Sequence, residues 1–221
     1  MASFQFGETV EGYAVPVLNE REIRAAAGIL FVFTFLALLL ILLSGKFLLV
    51  KLVIPVFLAD LLVRVFVSPR YSPTLILGRL IVADQAPEYV AAKPKQLAWA
   101  IGIVLSSLMF VFMVVMNTYS PITGITCLVC LVFLFFEAAF GICLGCKFYK
   151  LVFREEPQLC PGEVCDVRTR DAITRTSGAQ WAVLLVAIAV IVGGVLAFSK
   201  PLSKPAHALF PAMEPKATAK H

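Results

Sequence analysis

The residues with the greatest chemical capacity in this chain are its six cysteines, which fall in three pairs. Cys127 and Cys130 form one C-x2-C, Cys143 and Cys146 a second, and Cys160 and Cys165 a C-x4-C. The second pair closes "FEAAFGICLGC", where Glu137 and a dithiol end a long apolar run. Four thiolates can hold Zn²⁺ in a closed tetrahedral site. Two dithiols can instead exchange electrons or sulfur through a mixed disulfide.

Spacing decides which pairs can cooperate. If one helix carries both C-x2-C motifs, Cys127 and Cys143 are 16 residues apart, roughly 24 Å at the helical rise. They are also about 160° apart in phase. These two pairs cannot share a metal or exchange thiols directly. Cys143 and Cys146 can meet Cys160 and Cys165, because the connection "REEPQLCPGEVCD" holds Pro157 and a Pro161-Gly162 turn. A redox or sulfur relay uses these four as two exchanging pairs. Zinc held by Cys143, Cys146, Cys160 and Cys165 is the alternative. Cys127 and Cys130, inside an apolar helix, read as small packing residues.

Three charges lie in otherwise apolar spans near these thiols. Asp60 and Arg64 are one helical turn apart, suited to pairing, and Glu137 precedes the C-L-G-C. All three fall within roughly 10 Å of the same end of the bundle, counted along their helices. In a functional reading Arg64 lowers a cysteine pKa, and Glu137 or Asp60 handles a proton. In a structural reading the charges brace neighbouring helices, with Arg64 partly snorkelling. Glu137 is about 120° from Cys143 on a regular helix, so the two need not touch. Lys51, near the other end of its span, reads as a snorkelling lysine. Gly141 and Gly145 flank Cys143 and read as close helix packing, with a helix break as the alternative.

The elements that must position these groups are membrane helices. Of 221 residues 60% are hydrophobic and only 15% charged, with a mean hydropathy of +0.92. Soluble domains carry about a quarter charged residues. Five spans follow, at about 25–43, 47–67, 97–116, 122–146 and 179–198, each near the length that crosses a bilayer. The expected fold is an all-α membrane protein, a four-helix transmembrane bundle plus a fifth C-terminal transmembrane helix, with short interfacial helices. The segments are a cytoplasmic N-terminal stretch 1–24, a membrane domain 25–153, a Cys-containing connection 154–178, the fifth span, and a disordered tail 199–221.

The connections carry their own signals. Ser72-Pro73 caps and opens a helix in "SPTLILGRLIVADQAPEY", and "CDVRTRDAITRTSG" suits a second short one. Lys and Arg concentrate in the N-terminal segment and the second and fourth connections, twelve in all from Arg21 to Arg175. By the positive-inside rule the N-terminus is cytoplasmic and the C-terminus outside. The N-terminal acids lack a signal-peptide pattern, so the first span is expected to stay as an anchor. No basic stretch interleaved with aromatics points to nucleic acid. Both histidines, His207 and His221, lie in the tail.

The stretches "VLNEREIRAAAGILF", "SPRYSP", "LGRL", "PKQLAWAIG" and "FEAAFGICLGC" resemble a family of small bacterial integral membrane proteins of unknown function. That family is recognised by a C-L-G-C at the end of its fourth span. The likeness covers about residues 17–150 and implies a four-span domain in the bacterial inner membrane with no established activity. All five stretches map to the cytoplasmic ends of spans. In arrangement alone the chain is similar to membrane thiol oxidoreductases that couple disulfides to quinone. The expected function is therefore cytoplasm-facing thiol–disulfide or sulfur handling, by Cys143, Cys146, Cys160 and Cys165 with Arg64, Glu137 and Asp60. Its partners would be the lipid bilayer and a thioredoxin-like or sulfur-carrier protein. A non-enzymatic scaffold or transport component with a structural zinc site of four cysteines is the alternative.

Overall fold

The architecture comes from a computed structural model, which describes residues 6–10, 13, 15–145, 176–202 and 207–208. Helix α1 (Glu20–Ser44) is followed after a tight turn by α2 (Leu48–Leu62), which continues as a π-helical turn, Val63–Val67. A 3-10 turn leads to the short α3 (Pro73–Ile81). Helix α4 (Ala92–Met109) and α5 (Pro121–Phe135) also end in π turns, Phe110–Val115 and Phe136–Phe140. Helix α6 is Gly178–Leu202.

Each boundary has a local cause. Asn19 caps α1 by accepting from Arg21 N–H, and Gly45 ends it in the left-handed conformation. Ser72 caps α3 as its sequence predicts, accepting from Leu75 N–H with Pro73 in the first turn. Ser120 and Thr123 form a reciprocal cap at the start of α5, again with a proline in the first turn.

Two small β-pairings tie the ends of the bundle. Strand β1 (Val17–Asn19) pairs antiparallel with β2 (Tyr89–Ala91), Leu18 opposite Val90. Because β1 runs straight into α1 and β2 into α4, this ribbon sets the first turns of α1 and α4 side by side. At the other end β3 (Thr118–Tyr119) pairs with β4 (His207–Ala208). Two apolar clusters fill the interior. One joins Ile23, Leu61, Leu75 and Trp99 near the ribbon. The other joins Ala37, Ile54, Met109, Cys127 and Leu131 toward the far end.

Four described helices, not five, are long and apolar enough to cross a membrane: Glu20–Ser44, Ala92–Val115, Pro121–Phe140 and Gly178–Phe198. The expected second span differs because Lys51, Asp60 and Arg64 fall within its 20 residues, 48–67, with Pro55 among them. The fourth span also stops short of the expected residue 146. Gly141, at φ +66°, ends it. Gly141 N–H bonds Glu137 C=O at 3.1 Å, and Ile142 N–H bonds Phe136 C=O at 3.1 Å, a Schellman-type termination. The expected short helix at 165–178 and most of the expected disordered tail lie outside the described residues.

Candidate functional site

The end of the bundle nearest the β1–β2 ribbon holds a connected set of buried charges. Asp60 is its first node, 2% exposed and on the last turn of α2. Its carboxylate accepts from Arg64 Nε at 2.8 Å, Ser72 Oγ at 2.7 Å, Thr74 Oγ1 at 2.7 Å and Thr74 N–H at 3.0 Å. The i, i+4 pair expected from the sequence thus forms, and it also holds the N-terminus of α3 against α2. Arg64, in the π turn, shares that Nε–H with Ser72 Oγ at 3.2 Å and donates from Nη2 to Thr74 Oγ1. Its guanidinium carbon stands 5.1 Å from the Trp99 ring centroid, a cation–π contact with α4.

The second node is Lys95, on the first turn of α4 and 1% exposed. Its ammonium lies 2.7 Å from a Glu20 carboxylate oxygen on α1 and also pairs with Glu137 at the end of α5. One lysine therefore joins three helices. The β1–β2 ribbon is the reason Glu20 and Lys95 meet. The third node is Glu22, which accepts from Arg79 at 3.1 Å and from Asn19 Nδ2 at 3.1 Å. Arg79 reaches it because α3 crosses α1 at Gly78, where an added Cβ would lie 2.5 Å from the Glu22 carbonyl oxygen. Only glycine permits that approach. Glu8 stands 4.0 Å from Arg79 as well. Burial holds its carboxyl above its ordinary pKa, against the pull of Arg79 and Arg70.

The C-L-G-C begins just after the helix break. Gly141 turns the chain beside α1, where an added Cβ would stand 3.4 Å from the Arg24 guanidinium carbon. Arg24 also donates to the Ala139 carbonyl at 3.4 Å. Gly145 then meets α4, where an added Cβ would overlap that of Ala98. Both readings of these glycines hold, one as a break and the other as close packing. Cys143, between them, is 4% exposed. The segment thus runs from the helix bearing Arg24 to the helix bearing Lys95, and Ala98 is three residues beyond Lys95 on the same helix face.

Residues 18–154 match the model of a family described as Domain of unknown function (DUF4395). The chain belongs to this family. No curated protein and no solved structure gave a match. The DUF4395 match covers every described helix but α6, and it includes all the charges of the three nodes except the half-buried Glu8.

The structure separates the expected site residues into two groups. It joins Asp60 with Arg64, but sends Glu137 to Lys95. Cys127 packs in the apolar core, with Cys130 beside it lining a small void near Ile54 and Met109. Cys146, Cys160 and Cys165 lie outside the described residues. Lys51, expected to snorkel, is buried among protein atoms and donates to Asn117 Oδ1 in the turn at the far end of the bundle.

The zinc alternative is overturned. Among the described residues no group of three or more His, Cys, Asp or Glu side chains is placed to hold a metal ion. The buried carboxylates that could have joined a thiol site are instead committed to cations. Asp60 faces Arg64, Glu22 faces Arg79, and Glu20 and Glu137 share Lys95.

Sequence reasoning missed Glu20, Glu22, Arg79 and Lys95, which it counted only as terminal or loop charges. Their signal was present. Each sits in one of the short stretches that carried the family resemblance, namely "VLNEREIRAAAGILF", "LGRL" and "PKQLAWAIG".

Proposed function

We propose that this DUF4395 protein is a cytoplasm-facing membrane thiol protein, handling disulfide or sulfur exchange at the charged end of its bundle. Cys143 and Cys146 are the primary dithiol, and Cys160 and Cys165 the exchanging pair. Two electrons and two protons leave the C-L-G-C dithiol as its disulfide forms, and the loop disulfide becomes two thiols. A reduced thioredoxin-like protein then returns two electrons and two protons to the C-L-G-C disulfide and leaves as its own disulfide, while the loop dithiol passes two electrons and two protons to a disulfide-bearing partner protein and closes again. The observation that carries this reading is the helix break at Gly141, which delivers Cys143 into the region framed by Arg24 and by the helix of Lys95. Glu137, with Glu20 and Lys95, is the proton-holding group. Asp60 and Arg64 act through position, because Ser72, Thr74 and Trp99 already engage them.

The same reading makes α2 a fifth crossing. Its 20 helical residues span roughly 30 Å, the thickness of the hydrocarbon core. Asp60 and Arg64 neutralise each other, and Lys51 lies near the far end. The positive-inside count places the charged end and the N-terminus in the cytoplasm and the C-terminus outside, in a bacterial inner membrane. A reporter fused after Cys165 is expected to read as cytoplasmic.

Thiol trapping in intact membranes tests the chemistry. Under oxidising conditions Cys143 is expected to enter a disulfide with another of the four cysteines, and Cys143→Ser to leave the loop pair unable to cycle. Four thiols that stay unmodified and redox-inert would sink the proposal. The burial of Cys143 favours one other reading, a non-enzymatic membrane scaffold or transport component whose thiols only pack. Unchanged assembly and stability of a protein with all four cysteines replaced by serine, together with redox-inert thiols, would support it.

A further inference from the structure

Helix α6 is anchored at the charged end and diverges from α2 beyond it. Gln180, fully buried, donates its side-chain amide to the Arg70 carbonyl at 3.0 Å, and Leu184 is buried beside it. Farther along α6, its face toward α2 opens on a groove of about 1280 Å³. The walls are mostly aliphatic, drawn from Pro55 and Val56 on α2, Val63 in its π turn and Val186, Val190 and Gly194 on α6. Asp60 and Thr74 stand at the end near the thiols, where both are engaged by Arg64. From Ala182 to Phe198 the groove follows α6 for roughly 24 Å, longer than one leaflet of a hydrocarbon core about 30 Å thick. Left unfilled, an open apolar groove of this size forfeits dispersion contacts along both walls.

The end of the groove away from the thiols is not apolar. Lys51 and Asn117 line it. Asn117 takes a left-handed φ of +51°, a conformation that asparagine tolerates, and accepts from the Lys51 ammonium. The groove therefore has the form of an amphiphile site, a long aliphatic trough with a cation and an amide at one end. An ammonium recognises phosphate as a point charge. The amide NH₂ of Asn117 supplies two further donors.

We propose that this groove holds one anionic phospholipid of the bilayer, its acyl chain along α2 and α6 and its phosphate at Lys51 and Asn117. Its headgroup end at Lys51 and Asn117 lies toward the end of the bundle opposite the thiols, so the proposal does not rest on the thiol reading, although the groove's other end reaches Asp60 and Thr74. A bound lipid would seal α6, which lies outside the family match, to the DUF4395 core.

The full chain is reconstituted into phosphatidylcholine vesicles containing phosphatidylglycerol and re-extracted in mild detergent. The lipids retained per chain are then counted by mass spectrometry. Phosphatidylglycerol is expected to be enriched about fivefold over its share of the vesicle, the factor one lysine contributes near an anionic headgroup. Lys51→Gln is expected to abolish that preference. Gly194→Trp gives a second test, because no atom lies within 4 Å of a Cβ added there, so the indole fills the trough without a backbone clash. It is expected to lose the retained lipid. The proposal is overturned if the retained lipid merely mirrors the vesicle composition, or if both variants keep it. It is also overturned if a Gly194→Cys protein cross-links efficiently to a second copy through this face.

Discussion

Replacing Lys95 by methionine gives the sharpest test of the charged end. The substitution keeps side-chain length and apolar stem but removes the ammonium that Glu20 and Glu137 share. Lys95 is 1% exposed and the Glu20 side chain 4%, so water has little access to that carboxylate once abandoned, while Glu137 keeps 14% of its side chain exposed. Removing one partner of a buried ion pair costs about 3–5 kcal/mol, most of it from the charge left behind. For a chain of this length each kcal/mol moves the unfolding midpoint by about 2–4 °C. The expected loss is therefore about 6–20 °C, the product of those two ranges. It should be measured as the shift in apparent midpoint at a fixed scan rate, in one detergent, by tryptophan fluorescence.

The control decides what the loss means. If the cost is an uncompensated charge rather than lost packing, neutralising the acids should restore stability. A triple variant, Lys95→Met with Glu20→Gln and Glu137→Gln, is expected to return to within about 2 kcal/mol of the native protein, because neutral replacements of a buried ionic group are often tolerated. A Lys95→Met midpoint within about 3 °C of native would refute the reasoning. So would a triple variant no more stable than the single one.

Gly78→Ala places a Cβ 2.5 Å from the Glu22 carbonyl oxygen, and Gly145→Ala drives one into Ala98. Each is expected to cost about 1–3 kcal/mol in thermal unfolding, whereas Gly124→Ala, with nothing within 4 Å, should be neutral or slightly stabilising. Glu8→Gln should flatten the pH dependence of stability. Burial raises the Glu8 carboxyl, so its contribution is full below the usual carboxylate pKa of about 4.3 and is lost as pH rises through the folded value. Midpoints of the native and Glu8→Gln proteins measured from acid to neutral pH check the sign. A native midpoint that rises more steeply than the variant's over that range would contradict it.

What the sequence made legible was whatever rests on neighbours along the chain. Apolar length located α1, α4, α5 and α6, and Ser72-Pro73 located the start of α3. The i, i+4 spacing found the Asp60–Arg64 pair. What it concealed depends on partners far away in sequence. Glu20 and Lys95 are 75 residues apart and meet only because β1 pairs with β2. Arg79 and Glu22, 57 apart, meet only because Gly78 lets α3 sit against the α1 backbone. Read one segment at a time, such residues look like ordinary basic and acidic flanks. The helix end before the C-L-G-C was half legible. Gly141 offered a break as the alternative to close packing, but an apolar run continuing past it does not say which of Gly141 and Gly145 adopts the positive φ.

The pairing of Glu137 with Lys95 points to how this end is built. Arg64 and Glu137 both lie in π turns, Val63–Val67 and Phe136–Phe140. A π turn admits an extra residue, so everything beyond it is rotated by about 100° from the regular helical phase. The widened turn takes Glu137 out of the regular phase counted back from Cys143, and the break at Gly141 ends that phase altogether. A buried membrane charge cannot be left without a counter-charge, since water is not available to replace it. A single widened turn, by contrast, perturbs only the backbone bonding of a few residues. Where the two demands conflict, the helix end yields and the ion pair is kept. Two of the three described π turns therefore lie where charge is matched between helices, the third, Phe110–Val115, carrying no charge, and the break after Glu137 follows within one turn of its pairing with Lys95. On this argument the charge network sets the register on which the thiol segment is hung. Its loss should disturb the position of Cys143 before it disturbs the apolar core around Cys127.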